Sequence, residues 1–419
     1  MNILIRSARI IDDKSKHHGQ IKDILIEKGV IKSIAKKIDL PKGFKEVKLK
    51  NLHVSNGWFD SSVSFGEPGY EERETIENGL NTAAMSGFTK VAVNPNTNPV
   101  IDNKSQVKFL VQKAANSPVR LFPIGNLTQG GKGIEMAEMF DMQTSGAIAF
   151  SDYGRAISNA NLLKIALLYA QNFDGLVMSF PQDNSIGTHG FVNESEETTR
   201  LGLNSVPNLS EELQIARDLY LLEYTGGKLH IPTISTAGAV KLIREAKRKG
   251  LDVSSSVAAH HLFLTDREIA SFDTNYKVNP PLRTEKDVKA LIKGVADGTI
   301  DMIVSDHNPI DIENKKVEFE NGLYGTTGLE SLFGSVSTVL PIEVVIKCLT
   351  ENPLNRFGIQ GSHIEEGELA DLTLFDPGLE YVFTEDNILS KSKNSAFLGK
   401  SLKGKAYGIY SKNELVLQK

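Results

Sequence analysis

Two short stretches carry the residues most able to do chemistry. "GWFDSSVSFGEPGYEERETIENG" (57–79) ends an apolar run on Asp60, Ser61, Ser62 and Ser64, and "DMIVSD" (301–306) ends another on Asp306, followed by His307. A carboxylate beside hydroxyls could belong to a metal-assisted hydrolytic centre or to a serine nucleophile. Hydrolytic zinc needs three or more His, Asp or Cys ligands converging on one point. Alternate strand positions face the same way, so residues 62 and 64 aim at one centre. Both are serine, whose neutral hydroxyl is a poor zinc ligand. A serine nucleophile needs a positioned base, and a carboxylate of ordinary pKa is a weak one. The plainer reading is that the serines fill space and donate to Asp306, which would otherwise be a costly unpaired buried charge. The histidines do not complete a site by their positions: His230, His260, His261 and His307 are all expected to pack and hydrogen-bond.

The elements that must position these residues follow from the apolar pattern. Short runs ending in a polar or small residue recur as "GWFDSSV", "KVAVN", "RLFPIGN", "GAIAFSD", "GLVMSF", "KLHIPTIS", "LDVSSSV" and "DMIVSD". Helical spacing fills the gaps, as at 161–171, 211–227, 239–250 and 285–298, and the last three close on glycine. Apolar strands alternating with helices make a parallel sheet covered on both faces. Eight of them over roughly 250 residues match a (β/α)8 TIM barrel. Catalytic groups of such a barrel sit at the C-terminal strand ends. Read in order, those ends are Asp60 to Ser64, Asn94-Pro95-Asn96, Asn126, Asp152-Tyr153, Phe180, Thr233, His260-His261 and Asp306-His307. Residues 1–55 and 365–419 are β-rich and are expected to form one small composite β-sandwich, leaving 56–364 as the barrel.

Composition excludes several function classes. A net charge of -5 over 419 residues leaves no basic footprint for nucleic acid or an anionic membrane. The run Lys247-Arg248-Lys249 reads as a solvated helix end. Cys348 is the only cysteine, so no intrachain disulfide exists, and its apolar neighbours mark it as a buried structural thiol. No apolar run approaches the ~20 residues needed to cross a bilayer, and "MNILIRSARIID" lacks the layout of a signal peptide. The expected location is the cytoplasm.

Ordered blocks then point to a family. "EPGYEERETIENG", "PNTNPVID", "TTRLGLNSVPNLSEELQIARD", "HHLFLTDREI", "KVNPPLR", "DGTIDMIVSDHNP", "GLE" at 328 and "GELADLTLFDP" run nearly end to end. The chain resembles a dihydroorotase of the amidohydrolase superfamily, of the long bacterial type. "NPPLR" and "TRLGLNSVP" favour that branch over allantoinases and hydantoinases. The resemblance implies a metal centre whose ligand positions fall here on Ser62, Ser64, Tyr153 (or Asp152 after a one-residue shift), Phe180, Thr233 and Asp306. Only Asp306, ligand and proton shuttle in the family, is clearly kept. The arginine that grips the substrate carboxylate falls on Gly66 and a histidine after the eighth strand on Ile310. Asn96, Asn279 and the aromatic-glycine pair Tyr324-Gly325 keep the substrate-binding residue types.

The resemblance therefore implies a dihydroorotase-like protein of pyrimidine biosynthesis without catalytic activity, with no metal cofactor expected. Inactive chains of this family serve as assembly partners of aspartate carbamoyltransferase, which makes that enzyme the expected partner, alongside self-association into a homo-oligomer. The alternative is an active dihydroorotase, a cyclic amidohydrolase holding zinc at an atypical site through Asp152 and Asp306. A third reading keeps only a ligand pocket around Asn96 and Asn279.

Overall fold

The computed structural model describes residues 1–187 and 189–418. Eight barrel strands form one parallel sheet in chain order: β1 (Trp58–Val63), β2 (Phe88–Val93), β3 (Arg120–Gly125), β4 (Ala149–Phe150), β5 (Leu176–Met178), β6 (Lys228–Ile231), β7 (Val253–Ala258) and β8 (Met302–Val304). They coincide with the eight apolar runs. The sheet closes where the chain beyond β1 meets the chain beyond β8. Val63 pairs with His307 in parallel, and the Ser64 N–H donates to the His307 carbonyl at 2.6 Å.

The barrel interior is a packed core. Phe59, Ala92, Ile124, Ala149, Leu176, Met178 and Met302 fill it, and Leu354 and Phe357 plug its lower end. Outer helices span Ala160–Ala170, Asn208–Thr225, Ala237–Arg248 and Glu285–Ala296. Three of the four starts are capped by side chains: Asn159 accepts from two backbone N–H groups, and Thr236 and Thr284 from one each, while Asn208–Thr225 follows Pro207 without a side-chain cap. The last two stop two residues before Gly250 and Gly298, whose φ values of 81° and 76° need a residue without Cβ.

Both chain ends join one eight-stranded sheet. Its order is Glu414–Leu417, Ser401–Ser411, Leu372–Val382, His53–Asn56, Ile3–Ile11, Ile21–Glu27 and Val30–Ala35, with Lys45–Val47 beside Ile3–Ile11. It has its own core of Ile3, Ile5, Ile10, Ile24, Val54, Leu372 and Tyr410. Three buried contacts weld it to the barrel floor. The Lys90 ammonium pairs with Asp371, Thr373 accepts from the Trp58 N–H at 3.1 Å, and the Trp58 indole donates to Ser55 at 2.9 Å. The Trp58 ring lies among Phe88, Phe333 and Phe375. Among the described residues no helix is long and apolar enough to cross a membrane.

Removing one partner of a buried ion pair strands the other charge, whereas replacing both with apolar groups does not. We expect Asp371→Leu to lower unfolding free energy by roughly 3–5 kcal/mol and Lys90→Met/Asp371→Leu to recover most of that loss, as read from urea unfolding curves.

Candidate functional site

Asp306 sits just past β8 with a left-handed φ of 48°, which turns its side chain into the mouth of the barrel. Its Oδ1 accepts from the Ser62 hydroxyl at 3.2 Å and from the Tyr153 phenol at 3.0 Å. Asn94, at the end of β2, bridges the serines: its Nδ2 donates to Ser62 Oγ at 3.2 Å and to Ser64 Oγ at 3.3 Å. Burial pushes the Asp306 carboxyl up to about 6, with the two hydroxyls pulling the other way. Burial and the neighbouring carboxylate hold the Tyr153 phenol well above its usual range. The centre is thus one carboxylate ringed by hydroxyls and an amide.

A second carboxylate lies behind the first. Asp60 accepts from the Ser305 N–H through both oxygens, at 3.2 and 3.3 Å, and from the Ser62 N–H at 3.1 Å. It ties β1 to the end of β8, and burial raises it to about 7. Nothing in the pattern of residue types singled out Asp60 or Asn94 for these roles. Both stood in the row of strand ends, and only their neighbours in space show their use.

Asp152 and Tyr153 point in different directions. Asp152 turns away from the centre and accepts from Asn126 Nδ2 at 3.1 Å, the Thr128 N–H at 2.9 Å and the Thr128 hydroxyl. Tyr153 takes the position facing Asp306. Phe180 is buried, and Thr233 adopts a φ of 47° with its N–H donating to Ser256 Oγ at 3.2 Å.

The residues assigned to substrate are not brought together. Asn96 lines a cavity of about 400 Å³ with Asn126, Asp152 and Arg155. Asn279, Tyr324 and Gly325 line another of about 140 Å³ with Asp306 and Asn308. Tyr153 borders both. At Gly66 the main chain has closed on the space a side chain would need: a Cβ there would lie 1.9 Å from the Tyr70 carbonyl oxygen. Ile310 is buried, its N–H held by Asn394 Oδ1 at 3.0 Å.

Three of the four histidines bond within the scaffold; His260, expected to do the same, is buried against His261 with neither ring nitrogen hydrogen-bonded to the protein. His230 lies inside the barrel with its ring nitrogens at 2.8 Å from Ser254 Oγ and 3.1 Å from Ser256 Oγ, and burial keeps it neutral. His307 Nδ1 accepts from the Gly328 and Leu329 N–H groups at the start of the helix Leu329–Val339. His261 Nε2 reaches the Pro280 and Pro281 carbonyls at 3.0 and 3.2 Å. Arg283 of "NPPLR" donates to the Val206 carbonyl of "TRLGLNSVP" and to Asn193 and Ser235, with Glu211 at 3.6 Å. Cys348 is buried and its thiol pushed up to about 12.

Comparison with known proteins agrees with these motif blocks. A dihydro-orotase-like family model matches residues 53–239, and an amidohydrolase family model matches residues 187–406. The dihydroorotase of Geobacter metallireducens is 40% identical over 412 residues, covering 97% of each chain. That of Ruminiclostridium cellulolyticum is 41% identical over 411 residues, covering 96% of each. The chain belongs to the dihydroorotase-like family. The fold extends further: an L-hydantoinase (dihydropyrimidinase) from Arthrobacter aurescens superposes with a TM-score of 0.85 at 20% identity, over 100% of this chain and 96% of that one. A dihydropyrimidinase from Brevibacillus agri gives 0.84 at 17% identity, over 100% and 95%.

The residues at the barrel mouth do not fit the zinc that family resemblance implies. Among the described residues, no three of His, Cys, Asp or Glu come together to hold a metal. Asp306 is the one carboxylate bonded within the hydroxyl ring. Asp60 and Asp152 are already held by other donors.

Asp306 gives a signed pH prediction. Its folded-state pKa of about 6 lies above the ordinary 3.8, so its protonated form is favoured in the fold. The stability this confers is complete below pH ~4 and lost as pH rises through ~6. Asp306→Asn keeps an acceptor and removes the charge. At pH 8 the variant is expected to be more stable than the wild type by on the order of 1–3 kcal/mol, with the difference vanishing near pH 4. Urea unfolding at the two pH values measures it.

Proposed function

We propose that this chain is a dihydroorotase-like protein of pyrimidine synthesis that does not turn over dihydroorotate and acts as an assembly partner, with aspartate carbamoyltransferase as the enzyme it holds. The observation that carries the reading is the ring of Ser62, Ser64, Asn94 and Tyr153 around Asp306.

Opening a cyclic amide near neutral pH calls for an activated hydroxide, and metal coordination supplies one by lowering the pKa of water from 15.7 towards ~7. Nothing at the centre replaces that. Ser62 donates to a carboxylate, and His230 and His307 are engaged elsewhere, so no imidazole stands ready to take a serine proton. The closed main chain at Gly66 leaves no room for an arginine clamp on a substrate carboxylate. Loss of activation and of substrate grip together supports a non-catalytic role better than altered specificity. The rival reading, an active enzyme with an atypical zinc site, needs Asp152 to abandon Asn126 and Thr128 and swing towards Asp306.

Two measurements test the proposal. Protein purified without chelator or added zinc is expected to hold less than ~0.1 metal per chain, against the one or two a working site requires, and to leave dihydroorotate intact. Stoichiometric zinc with chelator-sensitive turnover would reject it. For the partner, sedimentation velocity of this chain mixed with aspartate carbamoyltransferase from the same organism is expected to show one faster boundary containing both; independent boundaries would remove that enzyme from the proposal.

A further inference from the structure

Asp306 uses one of its two carboxylate oxygens. Oδ1 accepts from both the Ser62 hydroxyl and the Tyr153 phenol, while Oδ2 receives no donor from the described residues. The residue is 7% exposed, and Oδ2 is not sealed off by protein atoms. It opens on the cavity of about 140 Å³ that Asp306 lines with Tyr153, Val278, Asn279, Asn308 and Tyr324. A carboxylate oxygen withdrawn from bulk water and left without a donor is unfavourable until a positive charge or an N–H meets it.

The chain supplies no such charge. The groups that favour the ionised form of Asp306 are the two hydroxyls, with no lysine, arginine or histidine among them. Its charged neighbour is a second carboxylate, Asp60, which feels the Asp306 charge. Lys277 lies 5.2 Å from the Tyr324 ring, which shows that this ring accepts an ammonium. The donors of Lys277 go elsewhere, to the Phe319 and Glu320 carbonyls at 3.0 and 2.6 Å.

We propose that the barrel mouth binds a small primary amine in its protonated form, the ammonium donating to Asp306 Oδ2 and the short carbon chain lying among Tyr153, Tyr324 and Val278. This rests on the reading that no metal occupies the centre. Zinc calls for three or more imidazole, thiolate or carboxylate ligands, whereas an ammonium has three donors and needs only acceptors. Besides Oδ2, the walls hold the amides of Asn279 and Asn308. Asn308 Nδ2 is committed to the Tyr324 carbonyl at 3.2 Å, so the other end of that amide is its oxygen. Size sets the upper limit: at about 30 Å³ per water, the cavity holds the volume of roughly four or five waters. Guanidinium is a poorer fit, because its fork pairs with both oxygens of a carboxylate and Oδ1 already has two donors. A quaternary ammonium has no N–H to give.

Isothermal titration of the full chain with propylammonium chloride, at pH 8 and constant ionic strength, tests the proposal. The wild type is expected to bind one equivalent with a Kd of about 0.1–5 mM, the range open to so small a ligand. Tetramethylammonium, guanidinium and sodium are expected to bind at least about tenfold more weakly. Asp306→Asn keeps an acceptor and removes the charge, and is expected to weaken propylammonium binding at least about tenfold. Tyr324→Leu, at a half-exposed position, is expected to weaken it about threefold, with thermal melting showing that both variants fold. No more heat from propylammonium than from sodium chloride, equal binding of tetramethylammonium, or variants that bind as well as wild type would each overturn the proposal. Zinc titrated alone separates it from the reading it rests on. A chain that takes up neither zinc nor amine removes the amine site alone; stoichiometric zinc that excludes propylammonium removes both.

Discussion

The barrel mouth is arranged around one buried carboxylate, Asp306. An ionised group so placed loses several kcal/mol of hydration unless donors replace the solvent. Ser62 and Tyr153 supply two such donors to Asp306, and Asn94 orients the serines from the neighbouring strand. The replacement is incomplete, as the raised pKa of about 6 records. Barrel closure depends on the same few residues. The Ser64 N–H to His307 carbonyl bond and the Asp60 bridge to Ser305 join the first and last strands within two residues of Asp306. Geometry that closes the sheet therefore also brings the carboxylate and its donors together.

Persistence of the family blocks has a structural explanation that does not need catalysis. Arg283 gathers the loop after β5, the start of the helix after β6 and the Glu211 carboxylate around one guanidinium. His261 holds Pro280 and Pro281, just upstream of Arg283. His307 caps the helix that packs below Trp58, linking the barrel mouth to the floor shared with the composite sheet. Such contacts keep a (β/α)8 scaffold and its loops in place whether or not a metal stands at the mouth.

Local patterning made much of this legible. All eight strands and the four helices read from periodicity fall where their residues predict, because burial on a parallel sheet and on one helix face leaves a short-range signature. Gly250 and Gly298 ended their helices for a reason contained in one residue, its tolerance of positive φ. That Ser62 and Ser64 bring hydroxyls rather than imidazoles to the barrel mouth was equally plain, since it belongs to residue type. The helix Asn208–Thr225 was recognised as a helix, yet its orientation was not evident: buried Glu211 and Asp218 become favourable only once Arg283, Ser179 and Arg217 stand beside them.

Residue type and periodicity by themselves determined the barrel, the presence of β-rich ends and the scarcity of metal ligands. Tertiary structure alone decided that Tyr153, rather than Asp152, reaches Asp306; that Asn96 and Asn279 line different cavities; and that the chain has closed over Gly66. The division follows from range. Hydrophobic periodicity acts between residues a few positions apart and is written into each segment. Which of two adjacent side chains turns inward is set by hydrogen-bond partners contributed from strands a hundred or more residues away, as Asp306 accepts from Tyr153, and that balance exists only after the barrel has closed.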